Sequence, residues 1–202
     1  WASEDPINSL EYLCQLTHQK VCALTDSRGM ACTTLVILLV RDMDAYWVHV
    51  GDSRFHLVRA QKCFLTTKDH SLLQLHLDRL EENPDDEALK NGTVRANQLY
   101  MCLGAPVDLE PAVNASSLKS GDVLLLSSDG FWGQVDFSGV LQSSDRLGED
   151  PDWSQKWVDK ASEKGGDRSD NITLIAALFS FDERPPGAMF NCIKAFFRRL
   201  IH

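Results

Sequence analysis

Two aspartates stand where long apolar runs stop, and metal chemistry would begin there. Asp129 follows the run Val123 to Leu126 after two serines, and Asp170 comes just before the run Ile172 to Phe179. If the two runs are neighbouring strands of opposite direction, both carboxylates reach the same edge of one sheet. Carboxylates held that way repel each other unless a cation lies between them. Oxygen-only ligation suits Mg²⁺ or Mn²⁺ rather than zinc, which prefers His and Cys. An aspartate at a strand end is also a common turn former, so from spacing alone both readings stay open.

The elements that must position these residues follow from the periodicity. Asp5 before Pro6 reads as an N-cap with proline in the first turn. Ile7, Leu10, Leu13, Leu16 and Leu24 recur near helical spacing, which predicts an amphipathic helix ending near Ser27-Arg28-Gly29. Thr33 to Val40 is β-branched and apolar on both faces, as in a buried strand. Ala45 to Val50 alternates as a second strand, and Gly51-Asp52-Ser53 turns into a third over Arg54 to Arg59. These three are expected to pair as one antiparallel meander. Asp69-His70-Ser71 signals the start of a second helix through Leu72 to Leu80, followed by a polar loop from Glu81 to Gly92. Trp153, Trp157 and Ala161 fall four apart on a third helix. Antiparallel strands with interspersed helices make an α+β layered domain.

Composition narrows the partners. Of 202 residues, 44% are hydrophobic and 24% charged, which excludes a disordered tail, a collagen-like rod and a coiled coil. Lys plus Arg number 20 against 29 Asp plus Glu, a formal charge of -9. Such a field repels phosphate backbones, so nucleic acid is not an expected partner, while it suits a site that concentrates divalent cations. The cysteines (Cys14, Cys22, Cys32, Cys63, Cys102 and Cys192) form no C-x-x-C pair and read as buried free thiols of a reducing, cytoplasmic compartment. The longest apolar stretch, Leu35 to Val40, is far below the ~20 residues of a membrane helix. No signal peptide is read at Trp1, so no membrane partner is expected.

The chain after Phe181 has its own texture. Beyond Pro185-Pro186-Gly187, apolar residues Met189, Phe190, Ile193, Phe196, Phe197, Leu200 and Ile201 recur at helical spacing, with Lys194, Arg198 and Arg199 off that face. The spacing predicts a linker and a basic amphipathic helix over 182–202, docked against protein, after a domain of residues 1–181.

The order of the short motifs says more than any one of them. Gly29-Met30-Ala31-Cys32-Thr33-Thr34 is followed by Val50-Gly51-Asp52-Ser53-Arg54, Asp69-His70-Ser71 and Leu103-Gly104. Gly121-Asp122, Ser128-Asp129-Gly130, Gly165-Gly166 and Asp170-Asn171-Ile172-Thr173 complete the series. From about Cys14 to Leu178 this resembles the metal-dependent Ser/Thr protein phosphatases of type 2C, in their bacterial form.

The resemblance implies an α-β-β-α sandwich of two antiparallel sheets with flanking helices and metals at one end. It assigns Asp129 and Asp170 to one Mn²⁺ or Mg²⁺, in a complete site of two cations. Asp52 matches a position that shares a third cation in some members; alternatively it is a carboxylate tying its turn to Arg54. Asn171, Ser53 and His70 are expected to support neighbouring loops. The implied reaction is hydrolysis of phosphoserine and phosphothreonine in proteins by a metal-activated water, with no covalent intermediate. A phosphoprotein is the implied substrate and a cognate Ser/Thr kinase the implied counterpart.

One departure is large. The family's Asp-Gly-x-Gly-Gly-His segment, with its bridging aspartate and candidate general acid, is not among these residues, nor is an early phosphate-binding Arg. No catalytic residue is therefore assigned; the general acid and the Arg are expected upstream of Trp1, along with the first two strands of the sandwich. Two function classes follow. The chain is the C-terminal portion of an active phosphatase, or it is a catalytically inactive phosphatase-like domain that binds a protein partner. Uncovered strand surface predicts an oligomer, or pairing with a chain that carries the missing segment.

Overall fold

The computed structural model describes residues 5–26, 29–90, 92, 94, 98–166 and 170–181, together with the backbone of 191–200. Contacts divide the chain into two compact units. One comprises Trp1–Ile37, Trp47–Asp52 and Lys68–Asn114, the other Leu38–Tyr46, Ser53–Thr67 and Ala115–His202.

Helix α1 (Pro6–Cys22) starts as the sequence predicts: the Asp5 carboxylate accepts the Ile7 amide, and Pro6, lacking an N–H, occupies the first turn. It stops at Cys22, short of the expected end; Ser27 and Arg28 lie outside the described residues. Helix α2 (Leu72–Glu82) is capped by Ser71, whose hydroxyl accepts the Gln74 amide at 3.1 Å. A short helix α3 (Glu87–Lys90) occupies part of the stretch expected as loop.

The strands are β1 (Leu35–Arg41), β2 (Asp44–Val50), β3 (Arg54–Arg59), β4 (Lys62–Thr66), β5 (Ala112–Ser117), β6 (Val123–Ser127), β7 (Ile172–Phe181) and β8 (Asn191–Leu200). They form a three-stranded sheet in the order β1-β2-β5 and a five-stranded sheet in the order β4-β3-β6-β7-β8. The architecture is thus α+β with two antiparallel sheets and flanking helices.

Three expectations need correction. First, β1, β2 and β3 do not make one meander, because β3 enters the other sheet beside β6. The turn that separates them passes through Gly51 at φ +97, where a Cβ would collide with the Thr34 side chain. Second, β1 is half-buried along its whole length rather than buried on both faces. It is an edge strand of a three-stranded sheet, so its apolar run meets less cover than a central strand does.

Third, within the tail expected as a helix, Asn191–Leu200 is a strand. Asn191–Leu200 pairs antiparallel with β7 over ten residue pairs, from Phe181↔Asn191 to Ile172↔Leu200. The open backbone edge of β7 offers a ladder of donors and acceptors, and Ile193, Phe196 and Phe197 are good strand formers. That ladder outweighs a helical spacing that ten residues cannot sustain alone. Pro185-Pro186-Gly187 lies outside the described residues.

The core of the second unit sits on one face of the five-stranded sheet. The register Val123↔Leu178, Leu125↔Ala176 and Ser127↔Leu174 aligns the alternating residues of β6 and β7. Val123, Leu125, Ile172, Leu174 and Ala176 pack with Phe131, Val140, Leu147, Trp153, Val158 and Ala161. The last six come from helices α4 (Asp129–Trp132), α5 (Phe137–Gln142) and α6 (Trp153–Gly165) and the 3₁₀ turn Ser144–Gly148. Where the sheet begins, the buried Asp122 carboxylate takes both Nε (2.8 Å) and Nη2 (2.7 Å) of Arg59 and the Lys119 amide. This charge-assisted fork ties β3 to the start of β6.

Candidate metal centre

The conditional that linked Asp129 to Asp170 is met: β6 and β7 are antiparallel neighbours, so the C-terminal end of one lies beside the N-terminal end of the other. Ser128 joins the two ends. Its amide donates to the Thr173 carbonyl at 3.1 Å, its hydroxyl donates to the Asn171 carbonyl at 3.0 Å, and that hydroxyl accepts the Thr173 amide at 3.0 Å.

Gly130 makes the approach possible. A Cβ there would stand 2.6 Å from the Asn171 carbonyl oxygen and 3.1 Å from that of Asp170. Any other residue type would push the two carboxylate-bearing turns apart. Within the turns, Oδ1 of Asp129 accepts the Gly130 amide at 2.9 Å, and Oδ1 of Asp170 accepts the Asn171 amide at 2.7 Å. Both aspartates are solvent-exposed, while Gly130 and Ile172 beside them are buried. Two oriented carboxylates are therefore presented at the rim of a fixed backbone crossing.

Arg54 adds a charge beside this rim. It pairs with Ser127 in the register of β3 and β6, and its guanidinium lies 3.5 Å above the centre of the Trp132 ring on α4. Arg54 also bears on His56, which burial first and the Arg54 charge second lower to about 3. His56 is thus a neutral core residue against Phe137, with its Nδ1 2.9 Å from the Thr66 hydroxyl.

Asp52 belongs to the other compact unit, half-buried in the turn after β2. His70 supports that turn: its Nδ1 accepts the Gly51 amide at 3.3 Å, and the Gly51 carbonyl accepts the His70 amide at 2.9 Å. His70 stacks on His49 with ring centres 4.7 Å apart, and His49 Nε2 donates to the Lys68 carbonyl. Burial, then the neighbouring imidazole, lowers His70 to about 4, so it acts as an acceptor within the fold.

A divalent cation fits the donor set in part. Asp129 and Asp170 are hard oxygen donors of the right kind. Among the described residues, no three His, Cys, Asp or Glu side chains gather to enclose an ion. The remaining coordination positions would fall to water or to donors outside this set. Sequence reasoning assigned the aspartates but missed Ser128 and Gly130, although both lie in the same Ser-Asp-Gly motif. It also missed the seating of Arg54 on Trp132, for which no local pattern exists.

No family model matches the chain. It is 31% identical over 175 residues to the protein phosphatase PhpP of Streptococcus pneumoniae, covering 84% of this chain and 67% of that protein. The structure is similar to the serine/threonine phosphatase of S. agalactiae, with a TM-score of 0.70, 24% identity, and coverage of 85% of this chain and 71% of that one. It also resembles the catalytic domain of the phosphatase PstP in complex with two manganese ions, with a TM-score of 0.63 at 22% identity, covering 87% of this chain and 73% of that one. The fold, the motif order and the relationship to PhpP together make this chain a member of the bacterial type 2C Ser/Thr protein phosphatase family.

Proposed function

We propose that this chain takes part in metal-dependent hydrolysis of phosphoserine and phosphothreonine in proteins, with Asp129 and Asp170 holding one Mn²⁺ or Mg²⁺. The observation that carries the reading is the contact of Gly130 with the Asp170-Asn171 backbone, which sets two carboxylates on adjacent turns. Such a cation, when bound, lowers the pKa of water and offsets charge on phosphoryl oxygens.

The chain's own residues do the holding. The Gly130 and Asn171 amides orient one oxygen of each carboxylate, and Ser128 keeps the two turns in register. Asp52 is the candidate donor for a further cation. The family relationship supports a phosphoprotein substrate and, more remotely, an opposing Ser/Thr kinase. Residues 1–181 are the proposed phosphatase part, with β8 extending its sheet. Free thiols among the described cysteines support the cytoplasm as its place of action. Among the described residues no helix is long and apolar enough to cross a membrane.

A second reading, a phosphatase-like domain that binds a protein partner without catalysis, has one observation in its favour. Among the described residues, no three ligating side chains come together. Calorimetric titration with MnCl₂ decides between them. The first reading expects weak binding that is lost in Asp129→Ala and in Asp170→Ala. Binding unaffected by either substitution, or no binding at all, would favour the second.

A further inference from the structure

Cys32 and Cys102 lie far apart in the chain but on the same face of one short antiparallel crossing. Thr33 and Leu103 exchange both backbone hydrogen bonds, Thr33 N–H to Leu103 O at 3.1 Å and Leu103 N–H to Thr33 O at 2.9 Å. In that register Cys32 opposes Gly104 and Cys102 opposes Thr34. Their side chains therefore project on the side opposite Thr33 and Leu103, as diagonal neighbours. Gly104 draws the strands tighter, since a Cβ there would run into the Ala31 carbonyl and the Val21 side chain.

Cys32 is exposed and Cys102 half-buried, and both are free. Burial, and then the adjoining Cys32 thiol, holds Cys102 up at about 11. Cys14 is buried and Cys22 faces His18, so neither offers a second exposed pair of this kind. Cys63 is exposed but sits beside Thr66 rather than another thiol.

We propose that Cys32 and Cys102 form a peroxide-sensitive dithiol that closes to an intramolecular disulfide. Cys32, as thiolate, attacks one oxygen of hydrogen peroxide. The O–O bond breaks, hydroxide leaves and is protonated to water, and Cys32 becomes a sulfenic acid. The Cys102 sulfur then attacks the Cys32 sulfur, and the displaced hydroxide takes the Cys102 proton and leaves as water. Two thiols and one peroxide thus give one disulfide and two waters, with sulfur oxidised and peroxide oxygen reduced. Diagonal partners, ~7–8 Å apart, lie just beyond the usual ~4.4–6.8 Å Cα separation of a disulfide, so closure draws the two strands together and leaves a strained bond that thiols readily reduce, which makes the modification reversible.

The test uses the reduced full chain. It is exposed to hydrogen peroxide, alkylated, and digested with trypsin without reductant. The expected result is a covalent pair of the peptides Gly29–Arg41 and Ala96–Lys119 and the loss of two of the six alkylatable thiols, regained with dithiothreitol. Cys32→Ser and Cys102→Ser each abolish the pair, Cys63→Ser keeps it, and Cys102→Ser leaves Cys32 trapped as a sulfenic acid that dimedone labels. Alkylation of both thiols after exposure would overturn the proposal. So would sulfinic acid at Cys32 in place of the bridge, or a bridge to another cysteine or another chain.

Discussion

Replacing Gly130 with alanine tests the crossing on which the candidate metal centre rests. The added Cβ would lie 2.6 Å from the Asn171 carbonyl oxygen. Ordinary carbon–oxygen contacts begin near about 3.3 Å, so the backbone must open by roughly 0.7 Å. The obstacle is backbone, not the flexible end of a side chain, and it cannot swing aside. Opening the gap also stretches the 3.0 Å bonds from Ser128 to Asn171 and Thr173. Overpacking of this kind costs ~1–3 kcal/mol, from which better helix propensity returns up to ~1 kcal/mol. A net loss of about 1–2 kcal/mol corresponds to a fall in Tm of about 2–8 °C for a chain of this size. Thermal unfolding by circular dichroism reads the stability, and MnCl₂ titration reads the site. Gly148→Ala is the control: its Cβ would meet a Leu178 methyl at 2.8 Å, a side-chain end that can rotate away. It should cost less than about 1 kcal/mol and leave Mn²⁺ binding alone. A Gly130→Ala chain as stable as the parent, with unchanged Mn²⁺ affinity, would refute the reasoning.

Two further perturbations probe buried ionisable groups. His56 and His70 stay neutral in the fold down to about 3 and about 4, below the ordinary 6.5. The unfolded chain takes up their protons first, so the stability they confer is complete above about pH 6.5 and falls as pH drops toward those values, by ~1.4 kcal/mol per pH unit for each histidine. Urea midpoints between pH 7.5 and 5 should therefore fall, and less steeply in His56→Leu; an identical slope in that variant would count against the assignment. Asp122→Ala removes the buried partner of Arg59 and of the Lys119 amide. A loss of ~3 kcal/mol in chemical unfolding is expected, at the low end for a buried pair because Arg59 reaches solvent. A change under ~1 kcal/mol would mean that the fork contributes little.

Much was legible in the chain itself. The period-two alternation of β2, the apolar runs of β6 and β7, the Asp5-Pro6 start of α1 and the four-residue spacing of Trp153, Trp157 and Ala161 are local signals, and each predicts its element. So are Asp129 and Asp170, which mark the ends of apolar runs. The β3–β4 hairpin was not legible, because its turn places Ala60 and Gln61 at positive φ without the Asn-Gly or Gly residues that usually signal it.

Local sequence therefore determined which residues alternate, which cap and which carry carboxylate, because neighbours along the chain settle those properties. Partnership was decided in three dimensions. The spacing of Ile193, Phe196, Phe197 and Leu200 suits a helix, yet the open edge of β7 takes the segment as a strand. The turn at Gly51 sends β3 to the second sheet, and the missing Cβ of Gly130 lets the turns that carry Asp129 and Asp170 approach closely. Strand pairing and close backbone approach depend on groups tens of residues apart, so only the tertiary structure could bring those two turns together.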